Sequence, residues 1–480
     1  MTKLEYFLRH HAATQPDTVA IEAPLGGMTQ LAEKLSPQGE SEGAFLSPQG
    51  ESEGALPPRG DEMGTLTYSA LWQQVEQRAD ALQQQGVKPR QVVCLRTTQT
   101  ADFLVTYFAL HLLGAVAMPL ENDLPQNRFD EIARRYATFA PPAEVADILY
   151  TTGTTGQPKG VMISHDAILA DAENLIAAQG FAPGLTFIVC GPLCHIGSLS
   201  KVWPVIHQGA TLCILPGLKD LNLFFSAMAD GSRRYATFLV PASVRMLLQL
   251  APHQLGECAD RLEFIENGAA AMPHADMQTL CRLLPNTRLY NTYASTETGI
   301  ISTYNYNDGR CQPQCLGPTM PNAAITINAD GRIVCHGRTL MTGYALDPDL
   351  TATVLRPDGT LLTADLGHID AEGMLHLTGR TGDVINVGGF KVAPTEVESA
   401  ALAHPDVADC VCVAQPSPLT GQALRLLVVL REGCTLDRRA LALFLSQRLE
   451  RHKVPLLYQQ VEHIERTFNG KINRKYYNRR

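Results

Sequence analysis

Apolar residues recur at helical spacing from Leu66 to Leu82, with Thr65 placed ahead of them as a helix start. Val92 to Arg96 then reads as a short strand, Ala101 to Leu113 as a helix and Ala115 to Leu120 as a second strand. The alternation continues past Ile148. Strands alternating with helices predict an α/β architecture with a largely parallel sheet. Near the C-terminus the spacing changes. Val384 to Val392 reads as one strand and Pro394 to Leu402 as a helix. Val407 to Ala414 and Leu426 to Leu430 are β-rich, and Leu436 to Leu449 is helical. This block predicts a small α+β domain of about a hundred residues. Glycine and charge cluster from Gly379 to Asp383, which marks the linker. The expected organisation is a large multi-layer α/β domain over residues 1–379 and a small α+β domain over 380–480.

One stretch breaks the alternation. Leu35 to Ala44 reads LSPQGESEGA, and the same ten residues recur from Leu46 to Ala55. With almost nothing apolar to bury, about 35–60 reads as a low-complexity surface insertion. A solenoid would need more repeats and a hydrophobic pattern.

Composition narrows the function classes. The 480 residues are 45% hydrophobic and 18% charged, an ordinary globular mix, with a net charge of -9. An acidic chain gives no electrostatic reason to expect nucleic acid or an anionic membrane as partner. The first residues lack the apolar core of a signal peptide, and no apolar run approaches the ~18 residues of a membrane span. The 12 cysteines are scattered, which fits free thiols in a cytoplasmic protein. Cys190, Cys194, Cys311 and Cys315 match no common zinc spacing.

Four segments could carry chemistry. Ile148 to His165 (ILYTTGTTGQPKGVMISH) runs from a β-like entry through a Thr/Gly loop with one lysine. Glycines let backbone amides approach an anion, hydroxyls donate to phosphate oxygens and Lys159 adds a point charge. The Walker A spacing cannot be placed on it, and a polar hairpin with no ligand remains open. Tyr290 to Gly299 (YNTYASTETG) offers a ring to stack on a base and a carboxylate to hold a cation, or is a polar turn after a strand. Asp365 in LTADLGHID and Arg380 in LTGR could serve sugar hydroxyls, or form a surface ion pair. NGKINRK, Asn469 to Lys475, is either a solvated basic tail or a cationic lid over phosphates.

In this order the segments resemble the adenylate-forming superfamily of acyl- and aryl-CoA synthetases, peptide-synthetase adenylation domains and luciferases. YTTGTTGQPKG is similar to its phosphate loop, YASTE to YGxTE and TADLG to TGDxG. PLCHIGS, ENGAAAMP, GRTGDVINVGGFKVAPTEVE and NGKINRK resemble further family motifs, so the likeness runs from about Leu66 to Lys475. It implies a small mobile C-terminal domain with the active site between the domains. It also implies a two-step ligase reaction: a carboxylate attacks the ATP α-phosphate, and coenzyme A then displaces AMP.

By that resemblance Thr151, Thr152, Gly153, Thr154, Thr155, Gly156 and Lys159 hold the β- and γ-phosphates. Glu297 holds Mg²⁺ and Thr296 meets the α-phosphate. Gly268, Ala269, Asn291, Thr292 and Tyr293 surround adenine, with the Tyr293 ring stacked on it. Asp365 and Arg380 take the ribose. Lys471 bridges carboxylate and α-phosphate, and Gly382 is the hinge. His195 lies on the substrate side, while Gly388, Gly389 and Lys391 serve the thiol side. His195 stands where amino-acid-activating relatives carry an Asp, which argues for a carboxylate without an α-amine.

The chain departs from the pattern in the short stretch Leu124 to Asp147, where a strand and helix of the family fold are expected to be missing. The remaining alternatives are an adenylation enzyme that loads a separate acyl carrier protein, and a non-catalytic nucleotide-binding relative.

Overall fold

The computed structural model describes residues 3–24, 63–152, 158–466 and 472–478. The repeat at 35–60 lies outside them. Two sheets dominate the large part, the first with a parallel core and the second mixed. One has eight strands in the order Gly299–Asn305, Arg288–Ser295, Leu262–Asn267, Arg234–Leu239, Leu185–Val189, Thr211–Ile214, Val19–Pro24 and Met63–Thr67. Its interior pairs are parallel and its two outermost pairs antiparallel. The second sheet runs Gly343–Tyr344, Pro158–Ser164, Val145–Thr152, Val116–Glu121 and Val92–Thr97. Helices Ala101–Leu112 and His165–Gln179 are buried along most of their length. Helices apolar on nearly every face belong between sheets rather than on a surface.

An antiparallel sheet of five strands, which includes Leu361–Ile369 and Leu375–Arg380, completes the large part. Beyond it the strands Ile385–Val387, Phe390–Val392, Val407–Ser417, Gly421–Leu430 and Leu457–Gln460 form a separate sheet. Helices Pro394–Leu402 and Arg438–Ser446 pack on it around Val397, Cys412, Leu426 and Leu441. The molecule is therefore α/β with a large N-terminal and a smaller C-terminal domain.

Two local expectations change. The run from Leu66 begins as a strand, Met63–Thr67, and the helix is Tyr68–Gln84, capped by the Thr67 side chain on the Ala70 amide. Val384 to Val392 is not one strand: Gly388 and Gly389, at φ 59° and 94°, turn it into a hairpin. Left-handed φ favours glycine, so this pair sets the turn. The short stretch 124–147 is structured, with helix Gln126–Tyr136 burying Phe129, Ile132 and Tyr136.

Candidate functional site

Strands Leu361–Ile369 and Leu375–Arg380 are antiparallel neighbours whose register sets Asp365 directly opposite Arg380. Their side chains meet at 2.7 Å, Asp365 Oδ1 to Arg380 Nε. Asp365 Oδ2 accepts the Tyr293 hydroxyl at 2.7 Å. Burial, then the neighbouring Asp365, pushes the Tyr293 phenol well above its ordinary pKa. Tyr293 stays a neutral donor.

A second cluster forms at the sheet with Gly343–Tyr344 on its edge. Strands Val145–Thr152 and Pro158–Ser164 form a hairpin in which Thr151 faces Lys159. Lys159 Nζ lies 5.0 Å from the centre of the Tyr344 ring. Tyr344 in turn donates its hydroxyl to Glu297 at 2.9 Å. The Glu297 carbonyl accepts the Met341 amide, which holds the carboxylate's own backbone in place. Lysine and carboxylate, 138 positions apart in the chain, are thus joined through one aromatic side chain. The Thr152 side chain and Gly153, Thr154, Thr155 and Gly156 lie outside the described residues, as does Lys471.

The strand Leu262–Asn267 ends in Gly268 and Ala269, the latter at φ 67°. A Cβ on Gly268 would stand 3.2 Å from the Phe238 ring and 3.4 Å from the Thr292 carbonyl oxygen. Asn291 and Thr292 are braces here. Asn291 donates to the Cys315 carbonyl at 2.8 Å, and the Thr292 and Thr303 hydroxyls meet at 2.8 Å.

These clusters open on one cavity of about 2730 Å³. Its lining joins Lys159, Thr296, Glu297, Asp365, Arg380 and His195. Residues of the smaller domain reach it too: Gly382 and Asp383, then Ile472, Asn473 and Arg474, which directly follow Lys471. Arg474 is clamped there. It donates to both oxygens of Glu398 at 2.7 and 2.8 Å and lies 3.3 Å from Asp383. Gly388, Gly389 and Lys391, expected on the thiol side, are exposed and are absent from the cavity lining. The hairpin that carries them points elsewhere in this arrangement.

The sequence reading missed two buried polar networks. Lys201 and Glu266 meet at 2.8 Å, each side chain 1% exposed. Glu5, His111 and Asp147 form a chain in which His111 Nδ1 faces Glu5 at 2.9 Å and Nε2 faces Asp147 at 2.8 Å. No short motif could have revealed either, because the partners are far apart in sequence.

A family model described as AMP-binding enzyme matches residues 55–139 and 135–345. A second, AMP-binding enzyme C-terminal domain, matches 396–471. The chain is 30% identical over 376 residues to sulfoacetate–CoA ligase of Cupriavidus necator, covering 75% of this chain and 72% of that protein. It is 27% identical over 474 residues to indoleacetate–CoA ligase of Aromatoleum aromaticum, covering 85% and 92%. A Bacillus subtilis long-chain-fatty-acid–CoA ligase is 29% identical over 354 residues, covering 70% and 61%. Among solved structures, ATP-bound MatB from Rhodopseudomonas palustris superposes with a TM-score of 0.81 at 23% identity, covering 100% of this chain and 98% of that one. At that identity the superposition shows the fold. Among the described residues, no helix is long and apolar enough to cross a membrane.

Proposed function

The chain belongs to the AMP-binding enzyme family, and from that premise we propose that its cavity carries out the ATP-dependent ligation of a carboxylate to coenzyme A. A carboxylate oxygen bonds to the α-phosphorus as the bond to pyrophosphate breaks. The CoA sulfur then bonds to the acyl carbon, and AMP leaves with the electron pair of the broken acyl–oxygen bond. The observation that carries the reading is the convergence of Lys159, Glu297, Asp365 and Arg380 on one cavity with the residues that follow Lys471.

Phosphoryl transfer asks the protein mainly for positioning and charge neutralisation. Asp365 accepts from ribose hydroxyls, and its ion pair with Arg380 fixes the acceptor. Tyr293 flanks adenine beside the backbone of Gly268 and Ala269. Lys159, with Thr151, Thr152, Gly153, Thr154, Thr155 and Gly156, meets the outer phosphates, and Thr296 the α-phosphate. Glu297 is a hard oxygen donor beside that lysine and suits Mg²⁺. Bound there, the ion would neutralise phosphate charge. Lys471 approaches the α-phosphate from the smaller domain. Gly382, which a Cβ would not crowd, is the proposed hinge between the strand Leu375–Arg380 of the large part and the smaller domain. Rotation there withdraws Lys471 and brings Gly388, Gly389 and Lys391 to the thiol.

Carboxylate-dependent pyrophosphate–ATP exchange without CoA tests the reading, on short, medium, long and aromatic acids. Exchange with at least one acid is expected, followed by release of free acyl-CoA when CoA is added. Product only on a phosphopantetheinyl carrier protein would instead select that acceptor. Absence of exchange from folded, ATP-binding protein would overturn the ligase. Asp365→Asn should raise the KM for ATP about tenfold, because a neutral amide is a weaker acceptor for two hydroxyls and loses the Arg380 pair. An unchanged KM would remove Asp365 from the ribose.

A further inference from the structure

The start of the helix Ile196–Gln208 forms one arm of the cavity lining, and its residues become steadily more enclosed. His195, its N-cap, and Gly197 are half-buried, Ser198 is 4% exposed and Lys201 is 1% exposed. All four line the same cavity. This arm ends at the ion pair of Lys201 Nζ with Glu266 Oε1. Lys201 also lies 5.2 Å from the centre of the Phe238 ring. Phe238 is half-buried and lines the arm. Ideal Cβ atoms on Gly197 and Gly268 would come within 3.0 and 3.2 Å of this ring, so glycine at both places keeps the slot beside it open.

A closed apolar end would suit a simple alkyl or aryl tail. This end holds an ammonium and a carboxylate instead. Glu266 is 1% exposed and its Oε2 has no hydrogen-bond partner among the described residues. An unsatisfied buried acceptor is costly, and a ligand that satisfies it gains selectivity against one that cannot. The formal charges of Lys201 and Glu266 cancel, so a further ionic group would meet repulsion from one of them. A neutral hydroxyl fits both: it donates to Glu266 Oε2 and accepts from the ammonium.

Resting on the ligase reading above, we propose that the Lys201–Glu266 pair selects the substrate class, a carboxylic acid carrying a neutral hydroxyl at its far end. Lys201 lies six positions after His195, a helical rise of about 9 Å. That length suits a para-substituted ring or a six-carbon chain.

The test compares matched acids in pyrophosphate exchange with the unaltered protein: para-hydroxyphenylacetate against phenylacetate, ω-hydroxyhexanoate against hexanoate, and adipate as the acid with a second charge. The hydroxylated member of each pair should be favoured in kcat/KM by about a hundredfold, since the unsubstituted acid leaves the buried Glu266 Oε2 without a partner. Equal use within each pair would overturn the proposal while leaving the ligase intact. Preference for adipate would overturn it in favour of an anion held by Lys201. No exchange with any acid would sink the ligase reading and this one with it. The double variant Lys201→Met, Glu266→Met removes the pair without stranding a charge. Once its folding is verified by thermal melting, its hydroxyl preference should fall to within about threefold. A preference kept at the original ratio would make the pair purely structural.

Discussion

Lys471→Ala is expected to lower carboxylate-dependent pyrophosphate exchange by on the order of 10²–10³, the usual cost of removing one preorganised charge from a transition state. Thioester formation from supplied acyl-AMP and CoA should continue at close to its original rate. The asymmetry follows from placement. Ile472, Asn473 and Arg474 line the cavity while the hairpin of Gly388 and Gly389 does not. In the proposed cycle this arrangement is assigned to the first half-reaction. The Arg474 clamp on Glu398 and Asp383 fixes the chain three positions after Lys471. Equal loss of both half-reactions would contradict two alternating arrangements.

His111→Ala is expected to destabilise the protein by about 3–5 kcal/mol, because it leaves Glu5 and Asp147 buried with no cation between them. The wild-type protein should show the same network through pH. Burial opposes the charged ring, but Asp147 and Glu5 outweigh it and raise His111 to about 9. An unfolded histidine titrates near ~6.5. The folded value is the higher one, so the stabilisation is complete below the unfolded value and is lost as pH rises through about 9. His165, whose ring packs edge-on against His111, is lowered to about 3, first by burial and then by the His111 charge. It stays neutral through this window. Denaturant unfolding between pH 6 and 10 checks the sign. Wild type should lose more stability than His111→Ala across that range, and parallel curves would remove His111 as the titrating group.

Much of the architecture was legible because it rests on local patterns. Pro394 to Leu402 forms the expected helix to the residue, since proline at its start and apolar spacing act within one element. Asp365 and Arg380 were visible as separate motifs, and a hairpin register joins them. The hidden features depend on distance along the chain. Lys201 and Glu266 are 65 positions apart, and Glu5 and His111 are 106 apart. The apolar pattern of helix and strand hid these partners: Lys201 sits in a buried helix and Glu266 in a buried strand, at positions an apolar residue would also fill. The Gly388–Gly389 turn was hidden for the opposite reason: flanking apolar residues on both arms of the hairpin blend into one β-like run.

Arg380 is the last residue of the strand Leu375–Arg380, and Gly382 comes two positions later. The strand that grips the proposed ribose acceptor therefore runs into the proposed hinge. A cross-strand pair is stiff, so the fulcrum of the smaller domain is moored to the nucleotide's own binding strand. In the proposed cycle AMP then stays seated at a stationary support while the other domain swings. On that reading its departure needs no reversal of the swing, and product release is timed apart from domain exchange.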